Sequence, residues 1–249
     1  MKKDSVIIDI KNLCKAYGKF KLKNISFALS KGEVVGLIGP NGAGKSTTIK
    51  LILNIIESDS GEILFLGKDI LKANSPLYKE EIGYVGENVD FFLNQKLENI
   101  KKYYKIYYKN WDEQTYQYLF KDVFELNGEL KMKELSKGMK VKFSLALALS
   151  HNPKLLIMDE PTSGLDPIVR SKILRILKEY AQNYDAAILF SSHITEDMNK
   201  IADKLIFLNN GEILEECTVE DIKKKDCEID EYLELLINNE RVNYGKGVL

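Results

Sequence analysis

The sequence predicts an α/β fold with a mixed β core, an antiparallel β portion near the N-terminus and an inserted α-helical subdomain. Three observations point there. A β-branched run, Glu33-Val34-Val35-Gly36-Leu37-Ile38, leads straight into a glycine-rich loop and then into a segment that is apolar at helical intervals. Short apolar runs of strand length return after residue 155. Between these two regions, from about Asn88 to Ser150, the chain is rich in Lys, Tyr and Leu and reads as long helical stretches.

Taken in order, Val6-Ile7-Ile8-Asp9-Ile10 is β-branched and strand-like, and a second strand is expected at Glu33–Ile38. A helix is expected from Thr47 to Ile56, then a turn at Asp59-Ser60-Gly61 and a returning strand at Glu62-Ile63-Leu64-Phe65. Strands resume at Leu155-Leu156-Ile157-Met158, Ala187-Ile188-Leu189-Phe190 and Lys204-Leu205-Ile206-Phe207-Leu208. We therefore divide one 249-residue domain into a core (1–87 and 151–215), a helical subdomain (88–150) and a tail (216–249) expected to be helical. The weak apolar face of that tail is Tyr232, Leu233, Leu235 and Leu236.

Composition narrows the function classes. At 45% hydrophobic and 29% charged residues the chain is ordinary for a globular protein, and its formal net charge of -1 gives no electrostatic case for nucleic acid as partner. No long apolar region follows Met1-Lys2-Lys3-Asp4, so no signal peptide is expected. No run reaches the ~18 apolar residues that a spanning helix needs. Cys14, Cys217 and Cys227 form no CxxC pair, and His151 and His193 lie far from them in sequence, so neither a zinc site nor a disulfide framework is expected. His151, in Ser150-His151-Asn152-Pro153, is read as part of a helix-end turn.

Gly39-Pro40-Asn41-Gly42-Ala43-Gly44-Lys45-Ser46, followed by Thr47, fits G-x-x-x-x-G-K-S between a strand and a helix. Glycines let successive backbone N–H groups curl around phosphate oxygens, and the helix N-terminus adds positive potential to the same place. Lys45 is placed to reach the β- and γ-phosphates, and the Ser46 hydroxyl to ligate Mg²⁺. Leu155-Leu156-Ile157-Met158-Asp159-Glu160 is a buried strand with two carboxylates at its carboxyl end, where open parallel sheets bind ligands. Asp159 suits Mg²⁺, and Glu160 suits orienting and deprotonating an attacking water.

Glu160-Pro161-Thr162-Ser163-Gly164-Leu165-Asp166-Pro167 resembles the Walker B end and D-loop of ABC ATPases. Leu135-Ser136-Lys137-Gly138-Met139, about twenty residues before Asp159, resembles their signature, and Ser191-Ser192-His193 resembles the segment with the switch histidine. Tyr17 resembles the aromatic that stacks on adenine. The resemblance covers roughly residues 5 to 215 and implies the ABC ATPase fold, ATP and Mg²⁺ as cofactors, and ATP hydrolysis. It also implies a head-to-tail dimer, with the same chain or a paralogue. In it Ser136, Lys137, Gly138, Met139 and Asp166 act across the interface, while His193 senses the γ-phosphate. Three positions depart from the family pattern. Lys137 replaces a glycine, Met139 replaces a glutamine, and Glu87 stands where the Q-loop glutamine, facing nucleotide and metal, is usual.

The LSKGM form resembles exporter ATPases of the ABC-2 type. That implies export of a peptide, drug or lipid through separate integral membrane permease subunits, with this chain cytoplasmic and peripheral on the inner face of the membrane. The alternative is a soluble ABC ATPase acting on ribosomes or nucleic acid. Ribosomal members usually pair two such domains through a basic linker, and chromosome ATPases separate their halves by a long coiled coil. Here about 90 residues part Lys45 from Ser136, and no sustained heptads appear. The aromatic and lysine stretch Tyr103–Trp111 could stack on single-stranded nucleic acid. It is read instead as subdomain core and partner interface.

Overall fold

The computed structural model describes residues 5–73, 75–86 and 92–245. Two sheets organise it. In the first, β1 (Val6–Tyr17) and β2 (Phe20–Ser30) form a hairpin, and β4 (Ser60–Phe65) pairs antiparallel with β1. The two-residue β5 (Lys68–Asp69) closes the order β2-β1-β4-β5. The second sheet has the order β10-β9-β3-β8-β7-β6, built from β3 (Val34–Ile38), β6 (Ile82–Val85), β7 (Leu155–Asp159), β8 (Ala187–Ser191), β9 (Lys204–Asn209) and β10 (Glu212–Thr218). Its strands are parallel except β10, which returns antiparallel along β9.

The central strands read as continuous apolar runs because both faces are covered. Val34 and Ile38 of β3, Leu156 and Met158 of β7, Ile188 and Phe190 of β8, and Leu205 and Phe207 of β9 pack into one core. Their alternates (Val35, Leu37, Leu155, Ile157, Ala187, Leu189, Ile206 and Leu208) pack into another. The first core takes the helices α4 (Lys137–Leu149), α5 (Pro167–Tyr184) and α6 (Thr195–Ile201); the second takes the antiparallel sheet and α1 (Lys45–Ile52). At about 25 cal/mol per Å² of apolar surface, this two-sided burial is the main stabilisation of the fold.

The inserted section is more broken than its composition suggests. Helix α2 (Leu97–Tyr107) is followed by α3 (Glu113–Gln117), which widens into a π turn at Tyr118–Val123, and a 3₁₀ turn at Met132–Glu134 precedes α4. Local side-chain bonds cut it: Asp112 accepts from the Gln114 amide at 2.8 Å and so caps α3. Lys101 is buried, held by Glu113 at 2.5 Å and Glu98 at 3.3 Å. Burial alone would raise the Glu113 carboxyl, but hydrogen bonds from Lys101, Gln117, Trp111 and Lys105 overcome it and hold it down at about 2. The aromatic stretch divides. Tyr104 and Trp111 pack against the core, whereas Tyr103, Ile106 and Tyr107 are exposed.

The tail corrects one expectation. Residues 216–218 are not helical; β10 continues to Thr218 because Glu215, Glu216 and Cys217 pair with Phe207, Ile206 and Leu205. On a sheet edge, charged side chains reach solvent without breaking the ladder. Beyond it, α7 (Val219–Lys224) and α8 (Ile229–Gly245) follow. The expected apolar face of α8 packs at Tyr232, Leu233 and Leu236, while Leu235 stays exposed.

His151 lies in the turn after α4, as expected, but it is buried. Its ring stacks on Tyr108 with centroids 3.8 Å apart, and Nδ1 lies 3.2 Å from the Glu80 carbonyl oxygen. Burial pushes its imidazole down to about 4, against the hydrogen bond to Glu80. The unfolded chain therefore takes up a proton near pH 6.5 that the folded chain refuses until about pH 4. This contribution to stability is complete above pH 6.5 and declines through the window below it, by roughly 3 kcal/mol in all. We predict that urea midpoints fall between pH 7 and pH 5, and that His151→Gln flattens the fall. An equally steep decline in the variant would assign the acid sensitivity to other groups.

Candidate functional site

The carboxyl ends of β3, β7 and β8 lie side by side, and the segments leaving them build one cleft of about 510 Å³. It is lined by Phe20, residues 41–47, Glu160, Ser163 and His193. The loop after β3 must pass close to β9. A Cβ on Gly39 would stand 2.0 Å from the Leu208 carbonyl oxygen. Gly42 and Gly44 have φ of +82° and +115°, a region open mainly to glycine. Gly44 opens α1 and no side chain caps that helix.

Lys45 is buried at the base of the loop. Its ammonium donates to the Gly39 carbonyl at 2.7 Å and to that of Pro40 at 3.4 Å, and it lies 3.8 Å from Glu160 Oε1. Ser46 Oγ donates to Asp159 Oδ1 at 3.3 Å, and Ser191 Oγ donates to the same oxygen at 2.6 Å. Glu160 has φ of +50°, which costs a non-glycine residue about 1–2 kcal/mol. Its amide offsets this by bonding the Ser191 carbonyl at 3.1 Å and Ser191 Oγ at 3.2 Å. Glu160 Oε2 receives the His193 amide at 3.3 Å and lies 2.6 Å from His193 Nδ1.

Sequence-predicted residues from three distant segments thus meet: Lys45 and Ser46, Asp159 and Glu160, and His193. The signature does not join them. Ser136 caps α4 by accepting from the Met139 amide at 3.2 Å, and Ser136 to Met139 do not line the cleft. Lys137 approaches Gly164 instead. Asp166 caps α5, accepting from the amides of Ile168 and Val169 at 3.0 Å each. Tyr17, at the hairpin end opposite Phe20, is half exposed beneath the Lys15 ammonium and is not among the cleft residues. Glu87 lies outside the described residues.

Two contributors escaped the sequence reading. Phe20 stands three residues beyond Tyr17 across the same Gly18 turn and pairs with it directly, so spacing in sequence does not tell which ring lines the cleft. Ser191 was visible only as part of Ser191-Ser192-His193; nothing local says that its hydroxyl supports Asp159, 32 residues away.

A P-loop at a strand-to-helix junction, with a strand-end carboxylate pair beside it, defines a nucleotide-binding ATPase of the P-loop class. The ABC transporter family model matches residues 22–163, and this chain belongs to that family as an ATP-binding subunit. It is 35% identical to the phosphonates import ATP-binding protein PhnC of Treponema denticola, covering 84% of this chain and 88% of that protein. It is 32% identical to the bacitracin transport ATP-binding protein BcrA of Bacillus licheniformis, over 95% of this chain and 76% of the other. A solved ATP-binding subunit of an ABC transporter is 30% identical and superposes with a TM-score of 0.83, covering 93% of this chain and 99% of that one.

We predict that Gly39→Ala lowers the thermal midpoint by more than 8 °C, because the new Cβ would stand 2.0 Å from the Leu208 carbonyl oxygen, a backbone atom of β9, and 3.1 Å from the Ala43 Cβ. A midpoint within 2 °C of the parent would show that the β3–β9 contact can relax.

Proposed function

We propose that this chain hydrolyses ATP in a head-to-tail dimer and so drives export of a peptide, drug or lipid through separate membrane subunits. The observation that carries the ATPase reading is the meeting of Lys45, Ser46, Asp159, Glu160 and His193 at one cleft edge. Lys45 and the loop amides hold the β- and γ-phosphates, and Phe20 forms the aromatic wall for the base. The Ser46 hydroxyl and the Asp159 carboxylate converge at 3.3 Å, a hard-oxygen pair that fits Mg²⁺, which commonly takes one or two protein ligands plus phosphates. When bound there, the ion neutralises charge on the phosphates. Glu160 takes a proton from the attacking water, and His193, bonded to Glu160 Oε2, holds that carboxylate in position and faces the γ-phosphate.

Ser136 to Met139 lie off their own cleft, which supports a role on the nucleotide of a second copy or a paralogue, with Asp166 at the same interface. The Ser136 oxygen accepts within its own helix, leaving its hydroxyl hydrogen and the start of α4 to face phosphate. No helix among the described residues is long and apolar enough to cross a membrane, which supports a separate membrane-spanning partner. The half-open apolar cavity between Phe92, Ile100, Tyr104, Met132 and Phe143, beside exposed Tyr103 and Tyr107, supports docking of such a partner on the helical subdomain. The export reading rests on the LSKGM form alone, since the relatives include a phosphonates import protein as well as a bacitracin transport protein.

Glu160→Gln is expected to bind ATP as the parent does, to lose roughly 10²–10⁴-fold in kcat, and to run as an ATP-bound dimer in size exclusion. Normal turnover by this variant would remove Glu160 from the proposed role. Lys45→Ala should weaken nucleotide binding by calorimetry, and an unchanged affinity would contradict the phosphate assignment. Purification in mild detergent should recover a polytopic membrane protein; recovery of ribosomes instead would overturn the transport reading and leave the ATPase standing.

A further inference from the structure

Behind the cleft, Asp197 of α6 is fully buried, and neither carboxylate oxygen makes a hydrogen bond. Burial pushes its carboxyl above the usual carboxylate range, opposed by Thr162, Arg170 and Lys200 and assisted by Glu196. Its closest cation is Arg170, whose Nε lies 3.7 Å from Oδ1. The Thr162 hydroxyl, also fully buried, faces the carboxylate and favours its charged form, but stands short of full hydrogen-bond geometry. A loosely paired buried ion is a poor device for stability alone, since an apolar trio would fill the space at lower cost.

The cluster joins the two segments that flank Glu160. Thr162 lies in the turn after Glu160, where the Leu165 amide bonds the Thr162 carbonyl at 3.2 Å. Arg170 is in the first turns of α5, and its amide bonds the Asp166 carbonyl at 3.0 Å. Asp197 begins α6, with its amide 3.2 Å from the Ile194 carbonyl, directly after His193. The segments 160–166 and 193–197 are thus tied in front by Glu160 and His193, and behind by Thr162, Arg170 and Asp197.

We propose that Asp197 is a positioning residue: with Arg170 and Thr162 it locks the His193 segment to the Asp166 segment, so that displacement of His193 by nucleotide also moves Asp166. The inference rests on the ATPase reading above. It uses slack in the contact, because a pair 3.7 Å apart and a Thr162 hydroxyl short of full hydrogen-bond geometry can tighten when one segment shifts.

The test is Asp197→Asn, which keeps shape and removes charge, beside Arg170→Gln and the double variant in the full chain. Each single variant should keep KM for Mg-ATP within about twofold and lose about tenfold in kcat, and the double variant should be no worse than either. Amide exchange with Mg-ATP should slow at both 161–166 and 192–197 in the parent, but only at 192–197 in Asp197→Asn. A purely structural role would lower the thermal midpoint and leave kcat of the folded protein unchanged. If Asp197→Asn fails to fold, Arg170→Gln reads the same coupling from α5. Parental kcat in both single variants, or losses that multiply in the double variant, would overturn the inference alone. A parent without Mg-ATP turnover would overturn the functional reading, and this inference with it.

Discussion

Asp159 Oδ1 is the point at which the architecture converges. It receives Ser46 from the P-loop and Ser191 from the end of β8, so the carboxyl ends of β3, β7 and β8 are held in register by one nearly buried oxygen. A buried carboxylate without donors would be costly; two hydroxyls make it tolerable and dictate where the loops leave the sheet. The parallel pairing of β7 with β8, Asp159 opposite Ser191, sets that distance before any side chain moves.

Strain follows from the same geometry. Immediately after Asp159 the chain must turn sharply, and Glu160 takes a left-handed conformation that an ordinary residue avoids. The Ser191 carbonyl and hydroxyl hold its amide there, and His193 holds its carboxylate. Ser191 therefore supports the site on both sides of the 159–160 peptide. The same turn places Thr162 beneath the surface, where it meets Asp197 and Arg170.

The helical subdomain joins this core through apolar packing and through a few polar contacts at its ends. The Asp112 amide bonds the Ser150 carbonyl at 2.6 Å, and His151 wedges between Tyr108 and the Glu80 carbonyl. These contacts place α4, and with it Ser136, by way of elements far from the cleft. The glycine-rich loop after β3 and the segment at Ser136 thus answer to different parts of the core.

Much of this was legible in the order of residues. Apolar runs bounded by turns mark buried parallel strands, since the two-sided burial of β3, β7, β8 and β9 needs residues apolar at every position. The P-loop spacing and the strand-end carboxylates mark the site, since their chemistry depends on neighbours in sequence. What stayed hidden depends on contacts across the chain. Examples are Phe20 rather than Tyr17 at the cleft wall, Ser191 under Asp159, the extension of β10 to Thr218, the breaks in the helical section and the burial of His151 and Asp197. By itself the sequence determined the α/β class, the glycine-rich loop and the carboxylate pair, because local periodicity and spacing encode them. Only the tertiary structure decided which hydroxyls, rings and carboxylates meet, because strand register and helix packing bring together residues that no local pattern relates.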